Sequence, residues 1–217
     1  MEGTTTDRIL HAARAMLSRP RDATCWLGGR FVPRNAMAQR LPWMSYAAIE
    51  YLKKHVEPGH RVFEWGGGGS TLFFLERGCH VTTAESSPEW AHKIFAQADV
   101  IGAADRLDLR TFDVAKKRNK IVDDYIKTIS DGGPWDIIVI DGEDTHYNKT
   151  DAYQLTRTQC ARAIGDNIKE GGMVVLDDAW RPEYAGIAGF LDAKAHLRFE
   201  SLGPDRLGVT RTDIFRF

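Results

Sequence analysis

From Arg61 onward the chain alternates short apolar runs with longer amphipathic segments, and this alternation restricts the fold more than any other feature of the sequence. The apolar runs are Arg61–Glu64, His80–Glu85, Leu107–Phe112, Asp136–Asp141 and Met173–Asp177. Between them the spacing predicts helices over Ser70–Arg77, Pro88–Gln97, Lys120–Ser130 and Thr150–Ile168. Runs that are apolar almost throughout belong to strands covered on both faces, and strand–helix–strand repetition requires right-handed parallel crossovers. Near the end, Leu197–Leu202 and Leu207–Phe215 flank Gly203-Pro204-Asp205, which predicts an antiparallel hairpin on the sheet edge. Five strands and a hairpin make a doubly wound α/β fold, a seven-stranded and mostly parallel sheet with helices on both faces.

The segment ahead of this pattern is different. Residues 5–17 predict a helix with Ile9, Ala13, Met16 and Leu17 on one side, and residues 19–44 read as irregular, with Pro20, Gly28, Gly29, Pro33 and Pro42. Ser45–His55 predicts a helix capped by Ser45 and ended before Pro58-Gly59. The expected organisation is a helix and irregular cover over 1–44, placed over an acceptor, ahead of one catalytic domain over 45–217.

Composition removes several functions. The 217 residues carry 29 Lys plus Arg against 30 Asp plus Glu, a net charge of −1, which is too little positive charge to coat a nucleic acid. Lys116-Lys117-Arg118 is too short a basic run to change that. No apolar stretch approaches the roughly 20 residues of a membrane span, and the charged N-terminus does not read as a secretory signal. Cys25, Cys79 and Cys160 form no CxxC pair, so neither a disulfide framework nor a zinc site is indicated. The expectation is a cytoplasmic protein with a small-molecule partner, no nucleic acid and no membrane, with a homodimer as one open assembly.

Val62-Phe63-Glu64-Trp65-Gly66-Gly67-Gly68-Gly69-Ser70-Thr71-Leu72 runs from a strand into a helix. The glycines allow a sharp turn and a close ligand, and the helix N-terminus points its amides at the loop. A phosphate-binding loop would need Lys before Ser70-Thr71, and a dinucleotide fingerprint would need a glycine where Thr71 or Leu72 stands. What remains is an acid followed by GxG, Glu64-x-Gly66-x-Gly68-x-Ser70, which repels a pyrophosphate and attracts an ammonium or a sulfonium. Glu85, closing the second strand 19 residues after Gly66, can accept ribose hydroxyls.

These residues resemble the first motif of the class I S-adenosylmethionine-dependent methyltransferases, with Ser70 in place of the last glycine. The resemblance implies a Rossmann-like fold and a donor held by Glu64, Trp65, Gly66, Gly67, Gly68 and Ser70. It also implies Glu85 and Ser86 beside the ribose, Asp113 facing the adenine amino group and Val114 lining the ring.

A second acidic cluster closes the next two strands: Asp141-Gly142-Glu143-Asp144, and Asp177-Asp178-Ala179-Trp180. The carboxyl ends of neighbouring parallel strands share a crevice, so Asp141, Glu143, Asp177 and Asp178 would converge there. Such acids repel unless protonated, hydrogen-bonded or bridged, and a hard cation such as Mg²⁺ would bridge them. The pattern resembles the macrocin-type metal-dependent O-methyltransferases. That implies Asp141, Asp177 and Asp178 as metal ligands and Glu143 as a base, with Asp141 alternatively facing the donor. His146 is the other candidate base, since an imidazole titrates near neutral pH.

Over residues 41–217 the chain also resembles small bacterial and plant-related methyltransferase-domain proteins. They share Leu41-Pro42-Trp43-Met44-Ser45, the loop Phe63–Phe74, the run Asp177-Asp178-Ala179-Trp180-Arg181-Pro182-Glu183-Tyr184, a Gly-Pro turn and a final strand such as Thr212–Phe217. Trp26, Phe31, Trp43, Met44, Trp180 and Tyr184 are candidates to line an acceptor pocket. Arg157 and Arg162 read as solvated, and Arg181 as a partner for the acids. The function expected is methyl transfer from S-adenosylmethionine to a hydroxyl, less readily an amine, of a small molecule. The alternatives are a non-catalytic donor-binding sensor or assembly partner, and an NAD(P)-dependent oxidoreductase. The net charge of −1 conceals a segregation: Glu64, Glu85, Asp113, Asp141, Asp177 and Asp178 all gather at expected strand ends.

Overall fold

The computed structural model describes residues 5–29, 36–114, 119–144, 146–148, 153–204 and 208–217. Seven strands form one sheet: β1 (Arg61–Trp65), β2 (His80–Glu85), β3 (Leu107–Thr111), β4 (Trp135–Ile140), β7 (Ile168–Leu176), β8 (Ala195–Leu202) and β9 (Val209–Arg216). Its order is β3-β2-β1-β4-β7-β9-β8, parallel from β3 through β7, with β9 antiparallel to both of its neighbours. A separate pair, β5 (His146–Asn148) and β6 (Tyr153–Leu155), is antiparallel. The doubly wound sheet with its antiparallel C-terminal hairpin is thus present as the alternation requires.

Side-chain parity along the central strands builds two cores. Val62, Ile137, Val139, Met173 and Val175 face one way, onto α4 (Tyr46–His55), α5 (Gly69–Glu76) and α6 (Pro88–Val100). Phe63, Trp65, Ile138, Ile140, Val174 and Leu176 face the other way, onto α7 (Asn119–Lys127) and α8 (Thr156–Arg162). The central strands bury both alternations, which is why they read as continuous apolar runs. β3 departs from that expectation. Leu107, Leu109 and their neighbours alternate in partial exposure, because β3 is an edge strand and packs its leucines only against the first core.

Two segments differ from their sequence reading. Residues 19–44 are not irregular throughout: among the described ones, α2 (Pro20–Gly29) and α3 (Ala36–Gln39) are helical. Pro20 opens α2 and Asp22 occupies its first turn, while Gly28-Gly29 ends it, so residues read as breakers mark the ends of a helix. α1 (Thr5–Ser18) and α2 contact β8, covering the sheet edge. The expected helix over Thr150–Ile168 is only α8, preceded by β6 and followed by a short 3₁₀ turn and then β7. Ser45 caps α4 as expected, accepting from Ala48 N at 3.2 Å. No helix among the described residues is long and apolar enough to cross a membrane.

Candidate functional site

The glycine loop joins β1 to α5 at the carboxyl end of the sheet. Gly66 adopts φ +82°, and a Cβ there would come within 2.5 Å of the Gly142 backbone, so the loops after β1 and β4 touch main chain to main chain. At Gly67 a Cβ would meet Thr83 Cγ2 at 2.6 Å. These two glycines are therefore required by the packing of the fold itself. At Gly68 the nearest atom is Trp90 Nε1 at 3.5 Å, an ordinary contact.

The chain's own side chains clasp this loop. Gly67 N donates to Glu85 Oε2 at 2.9 Å, and Gly67 O accepts from Trp90 Nε1 at 2.8 Å. Ser87 N and Ser86 Oγ donate to Glu85 Oε1 at 2.8 and 3.2 Å. A carboxylate offers about four acceptor directions. Three of Glu85's are taken here, so accepting both ribose hydroxyls requires one of these donors to release it.

Glu64 is fully buried beneath the loop. Thr71 Oγ1 donates to its Oε2 at 2.6 Å while accepting from Gly68 N at 3.0 Å, and Thr83 Oγ1 donates to the same oxygen at 3.2 Å. Glu64 Oε1 has no hydrogen-bond partner among the described residues. Burial pushes the carboxyl up to about 7; the hydroxyls of Thr71, Ser70 and Thr83 pull against that, and the charge of Asp141 adds to it. The Trp65 side chain points away from the loop. Its indole is buried in the second core and donates to Tyr125 O at 3.0 Å, because parity turns it away from Glu64.

A cleft of about 350 Å³ opens beside the loop, lined by Trp43, Gly67, Gly68, Gly69, Ser70, Trp90, Asp141, Arg157 and Asp178. Trp43 is 41% exposed there, although its backbone neighbours are pinned: Met44 is fully buried, and Ser45 N donates to Thr212 Oγ1 at 3.1 Å. Of the other aromatic candidates, Trp26 packs against the first core and Tyr184 is buried in the second, donating to Asp144 Oδ2 at 2.6 Å. Trp180 Nε1 donates to Asp178 Oδ1 at 3.1 Å, and Phe31 lies outside the described residues.

Arg157 is the residue that the sequence reading misplaced. It is buried, not solvated, and sits across the ends of β4 and β7. Its Nε donates to Gly142 O at 2.6 Å, Nη2 to Asp141 O at 3.1 Å and Nη1 to Asp177 O at 3.3 Å, while Nη2 pairs with Asp141 Oδ1 at 3.2 Å. Burial opposes its charge, but the charges of Asp141, Tyr184, Asp177 and Asp178 outweigh it and hold the guanidinium above its ordinary range. The only sequence hint was its place at the start of a helix following an acidic turn. Arg162 is exposed as expected, and Arg181 pairs with Asp178 Oδ2 at 2.7 Å.

The expected metal trio does not form a metal site. Among the described residues no group of three or more His, Cys, Asp or Glu is arranged to hold an ion. Asp177 Oδ1 accepts from Thr212 Oγ1 at 2.8 Å, Asp178 turns to Trp180 and Arg181, and Asp141 pairs with Arg157. The residues do not fit Mg²⁺. Glu143 is exposed on the turn after Asp141; the His146 side chain lies outside the described residues, as do Lys116-Lys117-Arg118. Asp113 is partly buried after β3, and Val114 belongs to the second core.

No protein-family model matches the sequence, and no curated protein matches it either. Solved structures do. A methyltransferase-like protein from Silicibacter pomeroyi DSS-3 superposes with TM-score 0.54 at 22% identity, covering 78% of this chain and 85% of that one. An O-methyltransferase from Bacillus cereus in complex with S-adenosylhomocysteine gives 0.56 at 18%, covering 83% and 86%. A protein described as an rRNA methylase from Clostridium thermocellum gives 0.52 at 14%, covering 77% and 94%. The chain has the fold of the class I S-adenosylmethionine-dependent methyltransferases.

Proposed function

We propose that this chain is a methyltransferase that uses S-adenosylmethionine and acts on a hydroxyl of a small molecule. The observation that carries the reading is Glu64. A buried carboxylate with one unpartnered oxygen, set under a glycine turn at the end of β1, is costly unless a ligand cation or a bridging water completes it. Gly66, Gly67, Gly68, Ser70, Glu85, Ser86, Asp113, Val114 and Asp141 are the proposed further contacts to the donor. The donor would supply an electrophilic methyl on a sulfonium; its transfer to a hydroxyl leaves a thioether and one proton. Asp141, half-exposed in the cleft and held by Arg157, orients the acceptor, with Glu143 and His146 as the proposed proton acceptors.

The cleft volume suits a small acceptor, being within the usual range for ligand pockets. The acids lining it, and a net charge of −1, favour such an acceptor over a polyanion such as rRNA. Calorimetric titration with S-adenosylhomocysteine and, separately, with NADH tests the reading. Binding of the first and not the second is expected; tight NADH binding with no S-adenosylhomocysteine signal would overturn it. Release of S-adenosylhomocysteine across a panel of hydroxyl acceptors then separates an enzyme from a sensor.

A further inference from the structure

We infer that the acidic crevice at the ends of β4 and β7 carries its own counter-cations, the guanidinium groups of Arg157 and Arg181, in the place where a divalent metal would otherwise sit. The inference concerns the crevice and stands apart from the identity of the acceptor; it deepens the methyltransferase reading by making that site one that needs no metal. Acids brought together by parallel strand ends need compensation, and two kinds are available, a bound ion or a side chain.

The geometry selects the side chain. Arg157 engages both ends of the crevice at once, through Gly142 O and Asp141 on β4's side and Asp177 O on β7's side. A planar fork of five N–H groups can span such a set of oxygens; a lysine, with one point charge, cannot. Arg181 takes Asp178 Oδ2 at 2.7 Å, and Trp180 Nε1 takes Oδ1 at 3.1 Å. Both guanidinium groups lie over the Tyr184 ring, at 5.8 and 5.9 Å, and that phenol is itself fixed to Asp144. Asp177 turns its Oδ1 to Thr212. Each acid is thus directed to a different partner, whereas Mg²⁺ requires converging oxygens at about 2.1 Å.

Mn²⁺ titration followed by paramagnetic resonance tests this, with S-adenosylhomocysteine affinity measured in parallel on every protein. The wild type is expected to show no saturable Mn²⁺ site. Arg157→Gln is expected to gain a saturable Mn²⁺ site, at least about ten-fold above the wild type's unsaturable background, the scale of one close unscreened charge pair. Arg157→Lys, which keeps the charge without the fork, is expected to fall between wild type and Arg157→Gln in Mn²⁺ affinity; a role in packing alone would leave Lys and Gln alike. Arg181→Gln is partly exposed and less prone to unfold, and it is expected to move Mn²⁺ affinity in the same direction by less. A saturable Mn²⁺ site in the wild type, no gain in either Gln variant, or identical Lys and Gln variants would each overturn the inference. Failure of the wild type to bind S-adenosylhomocysteine would instead remove the donor reading and leave the Mn²⁺ result to stand by itself.

Discussion

Glu64 places a carboxyl group out of contact with bulk solvent, and its titration sets the sign of a measurable effect. With its value raised to about 7 against 4.5 in the unfolded chain, the folded state holds the extra proton throughout that window. Stability therefore falls as pH rises from about 4.5 to 7, by roughly 3 kcal/mol if the whole shift is realised. Glu64→Gln should abolish that decline, so that urea unfolding finds the variant gaining on the wild type between pH 5 and pH 8. A decline of equal size in the variant would show that another group is responsible. Binding of a cationic ligand beside Glu64 should also expel its proton near pH 7, seen as a buffer-dependent binding enthalpy that Glu64→Gln loses. Among the glycines, Gly66→Ala should be the damaging change, costing about 3 kcal/mol or more through main-chain overlap and positive φ. The sequence pattern makes the turn from β1 into α5 and the acid before it legible, because glycine and a carboxylate at fixed spacing are visible without coordinates. It did not reveal that Gly66 and Gly67 serve the fold, since their neighbours, Gly142 and Thr83, are distant in sequence. Arg157 reads as solvated because most of its partners are backbone carbonyls, which leave no mark in the residue pattern, and its carboxylate partner Asp141 is 16 residues away.

Secondary-structure elements were legible where period and capping agreed, and less so where turn residues had two meanings. The Ser45 cap of α4 and the Pro88 start of α6 are local chemistry, and both occur where the sequence indicates. α2 is hidden in the sequence because its proline and glycines read equally as interruptions or as the beginning and end of a helix. β6 was absorbed into a helix because its pairing with β5 is a contact between segments, which no periodicity within one segment reports. One hydrogen-bonded relay joins three elements: Ser45 N donates to Thr212 Oγ1, and Thr212 Oγ1 donates to Asp177 Oδ1. Thr212→Val should strip both bonds and leave a fully buried carboxylate short of a donor, at a cost of about 2–4 kcal/mol by chemical denaturation. Ser45→Ala, which keeps the backbone N–H and loses only the cap, should cost nearer 1 kcal/mol.

At the scale of the whole molecule, the parallel sheet, its C-terminal hairpin and the gathering of acids at strand ends were all readable, since each depends on patterns longer than one element. The compensation of those acids was not, because it is made by side chains converging from β4, α8 and the segment after β7. If the donor binds only the folded chain, S-adenosylhomocysteine at 100 times its dissociation constant should add about 2.7 kcal/mol to stability, while NADH should add nothing. A thermal shift with both ligands or with neither would contradict that expectation.

The meeting of Gly66 with Gly142 has a genetic consequence. A Cβ on Gly142 would overlap the Tyr125 hydroxyl, which is itself buried with no hydrogen-bond partner among the described residues. Gly66, Gly142 and Tyr125 thus form a stack of three positions in which the middle one is confined from both sides. In a selection for suppressors of Gly142→Ala, Tyr125→Phe should be recovered, because it removes the atom in the way. The same change should rescue Gly66→Ala not at all, since that clash is with main chain. Sequence variation at 125 and 142 would then be coupled, with residue 66 fixed regardless of either.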